Sequence, residues 1–314
     1  MIEIQGLTRT FGNLKALDNI AFQVQHGEVV GFLGPNGAGK TTTMRILAGL
    51  LAPTEGTIRV AGFDVIEEPE KARAKIGFLP ETPPIYEEMT VREYLLFLAG
   101  LRGVSRDRLP AAVDAAMNRC GLANVADRLL RNLSKGYRQR AGIAQAIVHN
   151  PRVVILDEPT AGLDPNQVRE IRSLIRELAS EHSILLSTHI LPEVQMICSR
   201  VILIHGGRIV LEDSLAGLAQ RTAHTKGEIL LQWRNPPDAA TLSALPGVEA
   251  CRQEGDGWVI VPRTDADPVP ELLRRSVENG WDLRKLMPVS HSLEEIFVQL
   301  TTTEGDTAPV KEGA

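Results

Sequence analysis

An apolar strand that runs straight into a glycine-rich turn and then a helix leaves a chain few architectures. Here the run VVGFL (29–33) leads into Gly34-Pro35-Asn36-Gly37-Ala38-Gly39-Lys40-Thr41, and a helical stretch carries on through Thr42 to Leu47. The spacing is G-x-x-x-x-G-K-[ST]. Glycines let successive backbone N–H groups turn toward one anion, and the helix starting near Lys40 adds the positive end of its dipole. With a strand before it and a helix after it, the match reads as a nucleotide loop and not a chance glycine-rich turn. Lys40 would reach the β- and γ-phosphates, and the Thr41 hydroxyl would ligand Mg²⁺.

A metal-bound triphosphate also needs a carboxylate at the end of a neighbouring strand. VVILDE (153–158) supplies Asp157 and, directly after it, Glu158. In open α/β sheets ligands sit outside the carboxyl ends of the strands, where both acids fall. Asp157 would hold Mg²⁺, and Glu158 would orient or deprotonate the attacking water.

The chain's 314 residues suggest two domains. Through the first two-thirds, short buried strands (29–33, 153–157, 183–187, 201–205) alternate with helical patterns, as in a parallel sheet covered on both faces. Thr90-Val91-Arg92-Glu93 is a capping box. Asp164 followed by Pro165 is an N-cap with proline at the first helical position. The stretch from about 82 to 150 reads as a helical insertion. After about 221 the texture changes to strands in GEILLQW, GVEACRQ, GWVIVP and WDLRKLM, with helices expected around 238–245, 267–279 and 292–301. That order suggests a small α+β domain over 222–303, ferredoxin-like in arrangement, and then a disordered tail from 304. All three tryptophans, Trp233, Trp258 and Trp281, fall in this second part and read as core.

The charge balance, 34 basic against 39 acidic residues for a net of −5, argues against nucleic acid as the main partner. Cys120, Cys198 and Cys251 form no CxxC pair, so neither a disulfide framework nor a zinc site is expected. The amino terminus enters a strand pattern at once, so no signal peptide is expected. Apolar runs such as VVIL and VILI are far short of the roughly 20 residues a membrane helix needs. Any service to a membrane would go through a partner.

With these motifs in place, the sequence resembles the ATP-binding subunit of an ABC transporter over roughly residues 1 to 221. GPNGAGKTT, NLSKGYRQR, VVILDEPTAGLDP and LLSTHILPEV occur in that family's order. LSKGYRQR separates ABC ATPases from other phosphate-loop enzymes. LPETPPIYEEMTVREYL and the carboxy-terminal SLEEIF look most like the gliding-motility and export-type subgroup. The fold implied is α/β: a phosphate-loop NTPase core with an antiparallel β region and a helical insertion, followed by the small α+β domain.

The resemblance implies ATP and Mg²⁺ as cofactors and nucleotide contacts from Gly34 through Thr42. Phe11 sits where an aromatic ring stacks on adenine; the family often has tyrosine there, but stacking needs only a ring face. Ser134, Gly136 and Tyr137 belong to the signature loop, which in the family grips a γ-phosphate across a dimer interface. Two copies would thus sandwich two ATP molecules, docked on a separate membrane permease at the inner face of the cytoplasmic membrane. Asp164 lies in the loop linking the two sites, and His189 resembles the switch histidine at the γ-phosphate. Three departures stand out. Glu81 replaces a glutamine that senses Mg²⁺ and the attacking water; its carboxylate can ligand metal but adds negative charge. Tyr137 replaces the glutamine of the signature, and Lys135 takes the place of its second glycine.

Two rivals remain at this level. A soluble ABC-type ATPase acting on ribosomes or nucleic acid usually carries tandem cassettes or long coiled-coil inserts. A phosphate-loop kinase or GTPase has no use for LSKGY, and no N-K-x-D guanine-reading motif is present.

Overall fold

Every residue from Val29 to Leu33 is buried, as are Val153–Asp157 and Ser183–Thr188. Strands this uniformly apolar need cover on both faces, which a central parallel sheet provides. The computed structural model describes residues 1–218, 227–263 and 266–288. The chain divides into two units, Met1–Leu215 and Ala216–Ala314. The boundary expected near 221 lies outside the described residues, as do the helix expected at 292–301 and the tail from 304.

The first unit runs β1 (Ile2–Phe11), β2 (Leu14–Val24), β3 (Val29–Leu33), α1 (Lys40–Leu47), β4 (Glu55–Val60), β5 (Phe63–Asp64), α2 (Pro69–Arg73), β6 (Ile76–Leu79) and α3 (Val91–Leu101). It continues through α4 (Leu109–Arg119), α5 (Lys135–Ile147), β7 (Val153–Asp157), α6 (Pro165–Leu178), β8 (Ser183–Thr188), α7 (Leu191–Ile197), β9 (Arg200–His205) and β10 (Arg208–Ser214). Two sheets result. One is antiparallel, in the order β2-β1-β4-β5; the other, β10-β9-β3-β8-β7-β6, is parallel apart from β10. Side chains from both sheets share one core, where Phe22 of β2 meets Phe32 of β3 with ring centroids 5.4 Å apart. Burying a side chain of that size contributes on the order of 1.5–3 kcal/mol.

Strand order puts β3, β8 and β7 side by side, so their carboxyl ends open onto one edge. Helix α7 lies close on β3 because Gly31 has no side chain: a Cβ there would stand 2.7 Å from Val194 Cγ1. The segment expected to be helical from 82 begins its helix only at Val91. Its capping box is complete, with Glu93 N donating to Thr90 Oγ1 and Thr90 N to Glu93 Oε2. No helix among the described residues is long and apolar enough to cross a membrane.

The second unit runs β11 (Ile229–Trp233), α8 (Ala239–Ser243), β12 (Val248–Glu254), β13 (Gly257–Pro262), α9 (Val269–Glu278) and β14 (Leu283–Pro288). Its sheet is antiparallel throughout, ordered β12-β13-β11-β14, the split β-α-β arrangement of ferredoxin-like domains. Trp233 and Trp281 stack edge to face in its core at 5.9 Å, and Trp258 packs against the same cluster.

Candidate nucleotide site

Between the end of β3 and the start of α1 the chain turns tightly enough that only glycine fits. Gly39 has φ +109°, and a Cβ on it would lie 2.6 Å from Leu17 Cδ2 and 2.9 Å from the Ala16 carbonyl. Left-handed backbone of this kind is routine for glycine alone. The turn brings Lys40 inward, where it is buried and where its Nζ donates to the carbonyls of Gly34 at 2.8 Å and Pro35 at 3.2 Å. A buried ammonium is costly unless paired. The loop thus supplies neutral acceptors, and Glu158 Oε1 supplies a charge 3.6 Å away.

Glu158 is itself unusual. It is buried, and its φ of +48° places a non-glycine residue in the left-handed region. Strain of this kind costs about 1–3 kcal/mol and clusters at functional sites. The conformation is held by Glu158 N donating to the Ser187 carbonyl at 3.1 Å, across from β7 to β8. His189, one residue beyond β8, places Nδ1 3.0 Å from both carboxylate oxygens of Glu158. Asp157 is fully buried; its Oδ1 accepts a hydrogen bond from Ser187 Oγ, while Oδ2 has no partner.

Of these groups Lys40, Glu158 and His189, but not Asp157, line one cleft of about 380 Å³. Its lining takes in Asn36, Gly37, Gly39, Lys40, Thr41 and Thr42 of the loop, with Glu81, Glu158 and His189 facing them. Gly34 and Ala38 are buried beneath it, Pro35 partly so. Phe11 ends β1 and is 44% exposed, with the Arg9 guanidinium 4.4 Å from its ring centroid; it does not line this cleft.

Other candidates lie elsewhere. Ser134 caps α5 and accepts from Tyr137 N at 3.4 Å, and the Tyr137 hydroxyl accepts from Asn124 Nδ2 at 3.3 Å. Gly136 sits tightly against Gln167, where a Cβ would be 2.6 Å from Cδ. Asp164 caps α6, accepting from Asn166 N at 2.9 Å and Gln167 N at 3.0 Å. None of Ser134, Gly136, Tyr137 and Asp164 lines the cleft around Lys40.

Three contributors escaped the motif reading. Ala16, in β2, walls the cleft, and nothing in its type signals that. Ser187, which orients Asp157, stands inside the STH run but carries no chemistry of its own. Glu193, four residues past His189, is buried and accepts from Thr160 in the turn after β7 and from Thr188 at the end of β8.

The three cysteines are free; burial pushes the Cys120 and Cys198 thiols up to about 12, far from thiolate chemistry.

Residues 17–161 match the family model described as ABC transporter. The chain is 37% identical over 305 residues to the uncharacterized ABC transporter ATP-binding protein YdbJ of Bacillus subtilis (strain 168), covering 96% of each. It is 35% identical over 308 residues to the Nod factor export ATP-binding protein I of Paraburkholderia xenovorans (strain LB400), covering 96% of this chain and 97% of that one. Among solved structures, the dimeric post-hydrolysis state of the ATP-binding cassette MJ0796 bound to ADP and Pi is similar at a TM-score of 0.62 and 25% identity, over 68% of this chain and 99% of that one. Relatedness on this scale, reaching across the second unit as well as the first, makes the chain a member of the ABC transporter ATP-binding proteins, the subunits that bind and hydrolyse ATP.

Proposed function

We propose that two copies of this subunit close on two ATP molecules, and that hydrolysis reopens them to drive export through a separate membrane permease. One observation carries the reading: the chain divides its nucleotide groups between two places. Lys40, Glu158 and His189 line one cleft, whereas Ser134, Gly136 and Tyr137 lie outside its lining. Ser134 N-caps α5, so the start of that helix offers N–H groups to an anion. A second copy would bring that helix end to the γ-phosphate. Loss of the γ-phosphate would then remove a ligand of the closed pair only, shifting the population toward the open one.

Within the cleft, Lys40 would hold the β- and γ-phosphates. Glu158 would take the proton of the attacking water, with His189 keeping its carboxylate in place. Phosphoryl transfer needs little more than positioning and charge compensation. The Oδ2 of Asp157 is a buried carboxylate oxygen without a partner, which fits a cation's ligand sphere. Thr41 and Asp157, with Glu81 from the cleft wall, would hold magnesium, which would offset phosphate charge when bound. No three His, Cys, Asp or Glu residues cluster as a metal site among the described residues. That fits magnesium, which takes one or two carboxylates and fills its sphere with phosphates and water.

Support for the permease comes from the relatives and from a neighbouring groove. A cleft of about 410 Å³ lined by Pro83, Ile85, Lys135 and Gln139 shares Glu81 and Ala161 with the nucleotide cleft. A permease segment seated there would bear on Glu81 directly. The Nod factor relative is an export protein by name, and export follows here from that likeness. Attachment to the membrane would be peripheral, from the cytoplasmic side.

The test is Glu158→Gln. It should bind ATP as the native chain does, hydrolyse it on the order of a hundredfold or more slowly, and run as a dimer in light scattering when ATP and magnesium are present. Native turnover in that variant, or a monomer even with the permease supplied, would count against the reading.

A further inference from the structure

Both oxygens of the Glu193 carboxylate are engaged, one by the turn after β7 and the other by the last residue of β8. Thr160 Oγ1 donates to Oε1 at 2.6 Å, and Thr188 Oγ1 donates to Oε2 at 3.0 Å. Thr160 stands two residues after Glu158; Thr188 directly precedes His189. All three side chains are buried, Glu193 at 2% exposure, Thr160 at 4% and Thr188 at 0%.

The carboxylate is held in turn. Helix α7, which carries it, is pressed on β3 by the close approach of Val194 to Gly31. Arg172 of α6 places Nη2 3.8 Å from Glu193 Oε1, and α6 is the helix that Asp164 caps. Thr188 Oγ1 also accepts from Ile190 N at 3.1 Å, which fixes the turn just past His189.

We propose that Glu193 is a positioning residue of the hydrolytic site, clamping the turn after Glu158 to the end of β8 just before His189 so that the two side chains meet. β7 and β8 are paired up to Asp157 and Ser187, and the backbone bond from Glu158 N to Ser187 O is the last across the gap. Thr188, the last residue of β8, is still paired with Leu33 of β3; past that point the spacing of the Glu158 turn from β8 rests on side chains. A buried carboxylate with two hydroxyl donors and a guanidinium nearby is rigid, because moving either threonine away would strand a buried charge. The arrangement also extends to α6, so displacement of the Asp164 end of that helix would reach Glu158 and His189 through Arg172 and Glu193. The inference rests on Glu158 and His189 serving hydrolysis.

The experiment uses the full chain with its permease and measures steady-state ATP hydrolysis, together with equilibrium binding of a fluorescent ATP analogue. In Glu193→Ala, kcat should fall about tenfold or more while KM and analogue affinity stay within about threefold, the signature of misplaced reacting groups. Glu193→Gln keeps one acceptor oxygen and should fall between Ala and native. Thr188→Val added to Glu193→Ala should cost nothing further, since both remove one link. If Glu193→Ala fails to fold, Thr160→Val and Thr188→Val each delete one hydroxyl at nearly constant shape, and each should lower kcat at unchanged affinity. A kcat within about twofold of native in both threonine variants, or nucleotide affinity falling in parallel with kcat, would overturn the proposal. Glu158→Gln run alongside separates the two levels: native turnover in that variant removes the premise, whatever Glu193 does.

Discussion

His189 Nδ1 stands 3.0 Å from both carboxylate oxygens of Glu158, so the ring is held edge-on by a bifurcated contact. Glu158 is acceptor-only when ionised, and Nδ1 is therefore the donor. The proton on Nδ1 leaves Nε2 of a neutral ring as an acceptor, and His189 lines the cleft where phosphates would lie. Replacing His189 with alanine frees the Glu158 side chain within its strained backbone. Turnover should drop on the order of a hundredfold, with ATP affinity nearly unchanged, as read by steady-state kinetics beside equilibrium binding.

Lys40 is buried against two carbonyls and 3.6 Å from Glu158. Among the described residues, Lys40→Ala removes the one lysine or arginine in the cleft lining. ATP should then give no thermal protection. In the native chain, ATP at about a hundred times its dissociation constant should add about 2.7 kcal/mol of stability. Thermal melts with and without ATP and magnesium make the comparison.

His149 answers to pH through the fold. Its Nε2 meets the Ile76 carbonyl at 3.1 Å. Burial, and then the charge of Arg102, lower its pKa from 6.5 to about 4. Folded chains thus keep the ring neutral while unfolded chains take up a proton near pH 6.5, so the unfolded state binds more protons between these values. Stability should be complete above pH 6.5 and decline as pH falls toward 4, by about 3 kcal/mol for this group. Urea midpoints measured across that interval should slope less steeply in His149→Gln.

In the second unit Trp233 Nε1 donates to Ser276 Oγ at 2.8 Å, and that hydroxyl donates onward to the Leu272 carbonyl at 2.7 Å. Trp233→Phe keeps an aromatic ring in the core and leaves Ser276 its bond to Leu272. The cost should be about 1 kcal/mol from the lost hydrogen bond, plus the smaller ring's packing loss. The remaining two tryptophans lie in the same unit, so the fluorescence midpoint in urea reports the change there.

Much of this protein could be read without coordinates because its signals are local. The phosphate loop is eight consecutive residues whose backbone geometry follows from glycine spacing. The caps at Thr90 and Asp164 close within three residues of themselves. Strand alternation and helix placement in the second unit foretold a split β-α-β order, since each hairpin and crossover admits few arrangements.

What stayed hidden involves partners far apart in the chain. Ser187 with Asp157, His189 with Glu158 and Glu193 with Thr160 are each separated by about thirty residues. They become neighbours because β3, β8 and β7 lie adjacent in the sheet. Residue order determined which groups exist and what turns they occupy; the pairing of parallel strands decided which of them touch. Hydrogen bonds reach only about 3 Å, a distance that no linear spacing beyond a turn can specify.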